Sequence, residues 1–107
     1  MAFSPNSESA PVAMLPGVIR RTLSCGEHML LCEITLASGS VVPLHDHPHE
    51  QIGYVVRGRL LFRIADEERE VAAGDGYFIP GNVSHAVTAL EESTAIDVFS
   101  PVRKEYL

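Results

Sequence analysis

The stretch His45-Asp-His47-Pro-His49-Glu-Gln51 places three imidazoles and one amide at alternate positions. Side chains two apart on an extended chain point to the same face, so these groups can converge on one point. Pro48 disturbs the pleat and sets His49 apart from the other three. A further imidazole, His85, follows the run Ile79-Pro80-Gly81-Asn82 in a second strand-like stretch. Imidazole nitrogen and amide oxygen suit a divalent transition metal ion, and Zn, Ni, Mn and Fe all accept that donor set. Imidazole must be neutral to bind a metal, which it mostly is near pH 7. The predicted ligands are His45, His47, Gln51 and His85, with His49 at the rim. A lone histidine is more often a polar core or surface residue than a ligand. Four such groups inside glycine- and proline-framed turns argue otherwise. All four donors are uncharged, so the ion keeps its double positive charge, which favours Lewis-acid work on an anionic or hydroxyl oxygen.

Asp97, Phe99 and Arg103 form a second constellation. Asp97 sits between Ile96 and Val98 in an apolar strand, where an unpaired carboxylate is costly to bury. Alternation turns Ile96 and Val98 one way and Ala95, Asp97 and Phe99 the other, toward the interior. Asp97 then either pairs with an arginine such as Arg63 or serves as an acid/base group in a cavity. Arg103 offers a planar fork that fits a substrate carboxylate. Its plainer reading is a surface charge beside Lys104.

These residues need a scaffold of strands. At 107 residues the chain is long enough for one domain. Seven prolines and eight glycines, with no long helical pattern, suit many short strands joined by tight turns. About eight to ten strands at this spacing predict an all-β jelly-roll barrel over 17–107, preceded by a flexible tail over 1–16. Arg57-Gly58-Arg59 reads as a hairpin turn, and Asp66-Glu-Glu-Arg-Glu70 as a solvated loop or hairpin. Glu33, inside the apolar run Met29–Leu36, reads equally as a surface carboxylate or a cavity group. A net charge of −6 without a basic patch makes nucleic acid and anionic membranes poor partners. The N-terminus lacks the basic start and apolar run of a signal peptide. Cys25 and Cys32 read as reduced thiols, so the expected location is the cytoplasm. Ile96, Val98 and the Met29–Leu36 run are apolar on a face the barrel cannot cover alone, which predicts a homodimer.

Gly39, five residues, His45-x-His47, three residues, Gln51, six residues, Gly58 is followed by Gly74, five residues, Pro80, four residues, His85. This pair resembles the two motifs of the cupins, small proteins with a double-stranded β-helix (jelly-roll) fold. Three positions depart from the family pattern: Gln51 replaces the usual glutamate, Asn82 the glycine two after the proline, and Ala89 a frequent asparagine. With the ending Asp97-Val-Phe-Ser-Pro-Val-Arg-Lys-Glu-Tyr-Leu107, the chain is similar to the small single-domain cupins of pectin and alginate degradation (KdgF type). That resemblance implies metal ligands at His45, His47, Gln51 and His85, a catalytic aspartate at Asp97, and substrate contacts at Phe99 and Arg103. It implies a small anionic sugar as substrate, a 4,5-unsaturated monouronate opened to linear 5-keto-4-deoxyuronate. An iron-dependent dioxygenase and a sugar- or metal-binding module without turnover remain the alternatives.

Overall fold

The computed structural model describes residues 2–107 and contains ten strands and two short 3-10 turns. The strands are β1 (Val12–Leu15), β2 (Val18–Cys25), β3 (Leu30–Leu36), β4 (Val41–His45), β5 (Glu50–Arg57), β6 (Arg59–Ile64), β7 (Glu67–Ala72), β8 (Gly76–Ile79), β9 (His85–Ala89) and β10 (Ser93–Ser100). They form a six-stranded sheet ordered β1-β2-β3-β10-β5-β8 and a four-stranded sheet ordered β4-β9-β6-β7. Every pairing is antiparallel. Consecutive strands cross repeatedly between the sheets, which is the all-β jelly roll expected from the turn spacing.

Period-two alternation decides which face each strand buries. Along β5, Gln51, Gly53 and Val55 point inward, and Ile52, Tyr54 and Val56 point outward. Along β10, Ala95, Asp97 and Phe99 are buried between half-exposed Ile96 and Val98. The inward apolar residues gather in two clusters. One contains Val18, Val55, Leu60, Phe62 and Ile79; the other contains Leu30, Cys32, Phe99 and Tyr106. Complete burial of a side chain such as Leu60 or Ile79 contributes about 1.5–3 kcal/mol.

Of three local expectations, two change and one holds. Gly58 does not turn a hairpin, because β5 and β6 lie in different sheets and do not pair. It turns a corner at φ +92°, where a Cβ would overlap the Ser93 hydroxyl. The charged run at 66–70 is the expected solvated hairpin: after a turn at Ala65-Asp66, Glu67–Ala72 pairs with β6 as the exposed sheet edge. Charged side chains on an exposed edge oppose pairing with another chain. Within 1–16, residues Val12–Leu15 pair with β2. Arg21 Nη1 also donates to the Ser9 carbonyl at 2.5 Å, and Ser9 Oγ donates to the Thr22 carbonyl at 2.9 Å. The run Val12-Ala-Met-Leu15 is short but apolar, and Met14 packs against the core, so this piece joins the sheet. Met1 lies outside the described residues. Among the described residues no helix is long and apolar enough to cross a membrane.

The corner at Gly58 is open to a direct test. Gly58→Ala should lower unfolding free energy by about 1–3 kcal/mol, the usual cost of a side chain held at positive φ. Denaturant melts of the two proteins measure it, and equal midpoints would remove the corner's steric role.

Candidate metal centre and its cavity

β4 and β9 lie side by side in the four-stranded sheet and place His45 opposite His85. Their ring centroids are 4.1 Å apart. The chain then leaves this sheet, and residues 46–49 carry His47 across to β5 in the other sheet, where Gln51 faces inward and is buried. The four predicted ligand groups therefore come together, though not along one continuous strand. The proline-containing link breaks the pleat, and the site spans both sheets.

A second loop fixes this link. The Asn82 N–H donates to the His47 carbonyl at 2.7 Å. At Gly81 a Cβ would lie 2.5 Å from the Pro48 carbonyl oxygen, so only glycine permits the approach. Asn82 has φ +65°, a left-handed conformation that asparagine tolerates better than most residues. The asparagine that departs from the motif thus supplies the same backbone conformation as a glycine.

Hydrogen bonds select one tautomer for each ring. Nδ1 of His45 lies 2.8 Å from the Pro43 carbonyl, Nδ1 of His47 lies 3.0 Å from the His49 carbonyl, and Nδ1 of His85 lies 2.9 Å from the Val83 carbonyl. A carbonyl only accepts, so each Nδ1 carries the proton and each Nε2 keeps its lone pair. The ligating nitrogens of the three rings lie within 4.8 Å of one another. His45, His47 and His85 could therefore hold a divalent metal ion. Gln51 Oε1 stands 3.2 Å from His47 Nε2. With Nδ1 protonated, that contact joins two acceptors with no proton between them, an arrangement a cation would relieve. Burial, aided by the Arg103 charge, holds the pKa of His47 below its ordinary value. Burial pushes His85 down to about 4. Both rings are thus kept neutral, as metal ligation requires. His49 lies outside the three-nitrogen group and contributes its carbonyl to His47.

Beside this cluster a cavity is lined by Gln51, Phe62, Tyr77, Asp97, Phe99 and Arg103, among others. Asp97 is 6% exposed and accepts the Tyr77 hydroxyl on Oδ1 at 2.6 Å. It does not pair with Arg63, whose Nε donates to the Ala65 carbonyl. Burial raises the Asp97 pKa, partly offset by Tyr77, the Gln51 amide and Arg103. Glu33 lies away from the site and accepts from Asn6 Nδ2 at 3.0 Å.

Arg103 approaches from the C-terminal segment, after β10. Its Nε donates to Glu105 at 2.7 Å, and its guanidinium lies 4.1 Å from the Tyr106 ring centroid and 5.3 Å from that of Phe99. The Tyr106 ring also meets Arg20, whose guanidinium is 4.2 Å from its centroid. Phe99 is buried, with its ring 5.7 Å from His47 and 5.5 Å from Tyr106. Sequence reasoning missed Tyr77 and Tyr106. A glycine inside a strand, Gly53, was the available signal for Tyr77: the two are register partners, and a Cβ at 53 would overlap the phenol ring.

Comparison with known proteins bears on the family and the fold. A family pattern described as Cupin domain matches residues 32–99. The structure of KdgF from Halomonas sp. is 32% identical, with a TM-score of 0.93 over 100% of this chain and 99% of that one. An RmlC-like cupin from Shewanella frigidimarina is 26% identical, with a TM-score of 0.95 over 100% and 96%. A Bacillus subtilis oxalate decarboxylase, described as having Mn(II) centres, is 24% identical. Its TM-score is 0.82, over 92% of this chain and 29% of that chain, a likeness of fold. No curated protein sequence matches the chain.

The imidazole cluster gives a metal-analysis prediction. His47→Ala and His85→Ala should each bring metal occupancy of the purified protein toward zero, read by elemental analysis. Full occupancy in both variants would remove the assignment.

Proposed function

Because this chain belongs to the cupin family, we propose that it uses a divalent metal ion to convert 4,5-unsaturated monouronates into linear 5-keto-4-deoxyuronate. The observation that carries this reading is the convergence of Asp97, Phe99 and Arg103 on the cavity that also holds Gln51, His45 and His85. The 32% identity to a KdgF over essentially both whole chains supports it. The ligands are His45, His47, Gln51 and His85. When bound, the ion supplies a positive charge that polarises substrate oxygens.

The chain's own residues do the rest. Glu105 holds Nε of Arg103, which leaves the terminal amino groups of the fork to meet the substrate carboxylate. Phe99 packs against the sugar ring from the cavity wall. In the reaction the anomeric hydroxyl loses its proton, the bond from C1 to the ring oxygen breaks, and an aldehyde and an enol result. Delivery of a proton to C4 then turns the enol into the ketone. No atom is gained or lost, so the change is an isomerisation. Asp97 moves the proton, and a carboxyl raised by burial is better matched to both taking and giving it.

We also propose that a second copy of the chain covers the outer face of the six-stranded sheet. Ile52, Tyr54, Val56 and Phe78 are each about half exposed there, and Ile52 stands beside both Phe78 and Val98. These side chains carry no charge, so the centres of two such patches meet without repulsion. Light scattering should give a dimer mass at micromolar concentration, and Ile52→Asp should shift it to monomer. A monomeric wild-type protein would remove this part.

The catalytic reading is tested by loss of the conjugated-double-bond absorbance of unsaturated uronate, with and without chelator. Asp97→Asn should keep the fold and lose turnover by roughly 10²–10⁴-fold. Arg103→Lys should weaken apparent substrate binding yet retain part of the turnover at saturation, because an ammonium keeps charge without the fork. Near wild-type turnover in Asp97→Asn would make the carboxylate structural.

A further inference from the structure

The proposed reaction makes no use of the Tyr77 hydroxyl, yet the fold positions it closely. The Tyr77 ring stacks on Phe62 with centroids 4.3 Å apart. Across the β5–β8 pair its register partner is Gly53, where any Cβ would overlap the phenol ring and hydroxyl. A strand-interior glycine weakens its strand and marks a close approach of another group. Here the group admitted is Tyr77. Its hydroxyl then donates to Asp97 Oδ1 at 2.6 Å.

Gln51 stands beside Asp97 on the wall of the cavity, where its side-chain amide is a second group able to donate to the carboxylate. The two residues lie on adjacent strands, both inward, with Asp97 opposite Gly53 and Phe99 opposite Gln51. A carboxylate only accepts hydrogen bonds, so an amide that meets Asp97 does so through its nitrogen. Its oxygen is thereby the end left 3.2 Å from His47 Nε2. A primary amide is nearly symmetric in shape, and packing alone does not choose between its two orientations. The reversed one would aim N–H groups at a bound cation.

We propose that Tyr77, Asp97 and Gln51 form an orienting relay, in which the phenol fixes the carboxylate, the carboxylate fixes the amide, and the amide oxygen faces the metal position. This rests on the metal assignment above and is independent of the sugar substrate. Tyr77 is a positioning residue in the relay. Removing an outer partner of a metal ligand weakens metal affinity by about 10- to 100-fold.

The test uses metal-free full-length protein titrated with Co(II), reading its visible absorption, and with Zn(II) in competition with a chromophoric chelator. Tyr77→Phe keeps the ring and removes only the hydroxyl. It should weaken both metals by about 10- to 100-fold and alter the Co(II) spectrum toward that of Gln51→Leu. The double variant should bind no more weakly than Gln51→Leu alone, since both changes cut one route. Gly53→Ala should act like Tyr77→Phe by displacing the ring. Unchanged affinity and spectrum in Tyr77→Phe, or additive losses in the double variant, would overturn the relay and leave the imidazole cluster standing. No binding by the wild-type protein would overturn the cluster and the relay together. Substrate turnover is not read, so failure of the uronate assignment shows separately.

Discussion

Three backbone carbonyls, those of Pro43, His49 and Val83, hold the site in its working state. Because they can only accept, each imidazole has one tautomer and one direction for its free lone pair. The rest of the structure serves that constraint. The β4–β9 register sets His45 against His85, and the Asn82–His47 backbone bond ties down the link that carries His47. Close approach at Gly81 makes that bond possible. The ligand nitrogens are therefore oriented by main-chain geometry, which a sandwich of paired strands fixes more firmly than side-chain packing could.

Much of this was legible in the sequence, for identifiable reasons. The jelly roll follows from period-two alternation and frequent glycine and proline, both local signals. The donor set follows from residue type and spacing. What could not be read locally is which sheet each strand joins. Gly58 has the same local signature at a hairpin and at a corner, and only the pairing of β6 with β9 distinguishes them. Likewise the alternate spacing of His45, His47 and Gln51 suggests one strand, whereas Pro48 sits where the chain changes sheets. Asp97 was legible as an inward carboxylate. Its partner Tyr77 was not, since that contact depends on two strands separated along the chain meeting across β5.

The charge of the interior differs from that of the surface. The chain carries −6 overall, but around Tyr106 two guanidiniums gather, from Arg20 and Arg103. Arg20 is 8% exposed, and its Nε has no partner among the described residues. Aromatic faces offset part of the desolvation of such cations. Net charge is a guide to partners of the outer surface and says little about a cavity where a few buried groups set the potential.

The ligands' distribution over two sheets has a kinetic consequence. His45 and His85 pair across strands far apart in sequence, and Gln51 belongs to the opposite sheet, so no single strand or hairpin presents the full donor set. Long-range strand pairings form late in such topologies, because loop closure precedes any gain from the contact. An ion that recognises only the completed sandwich cannot speed its assembly; it acts on the barrier to coming apart. Metal supply would then govern how long a folded molecule lasts, while the time it takes to fold stays a property of the chain.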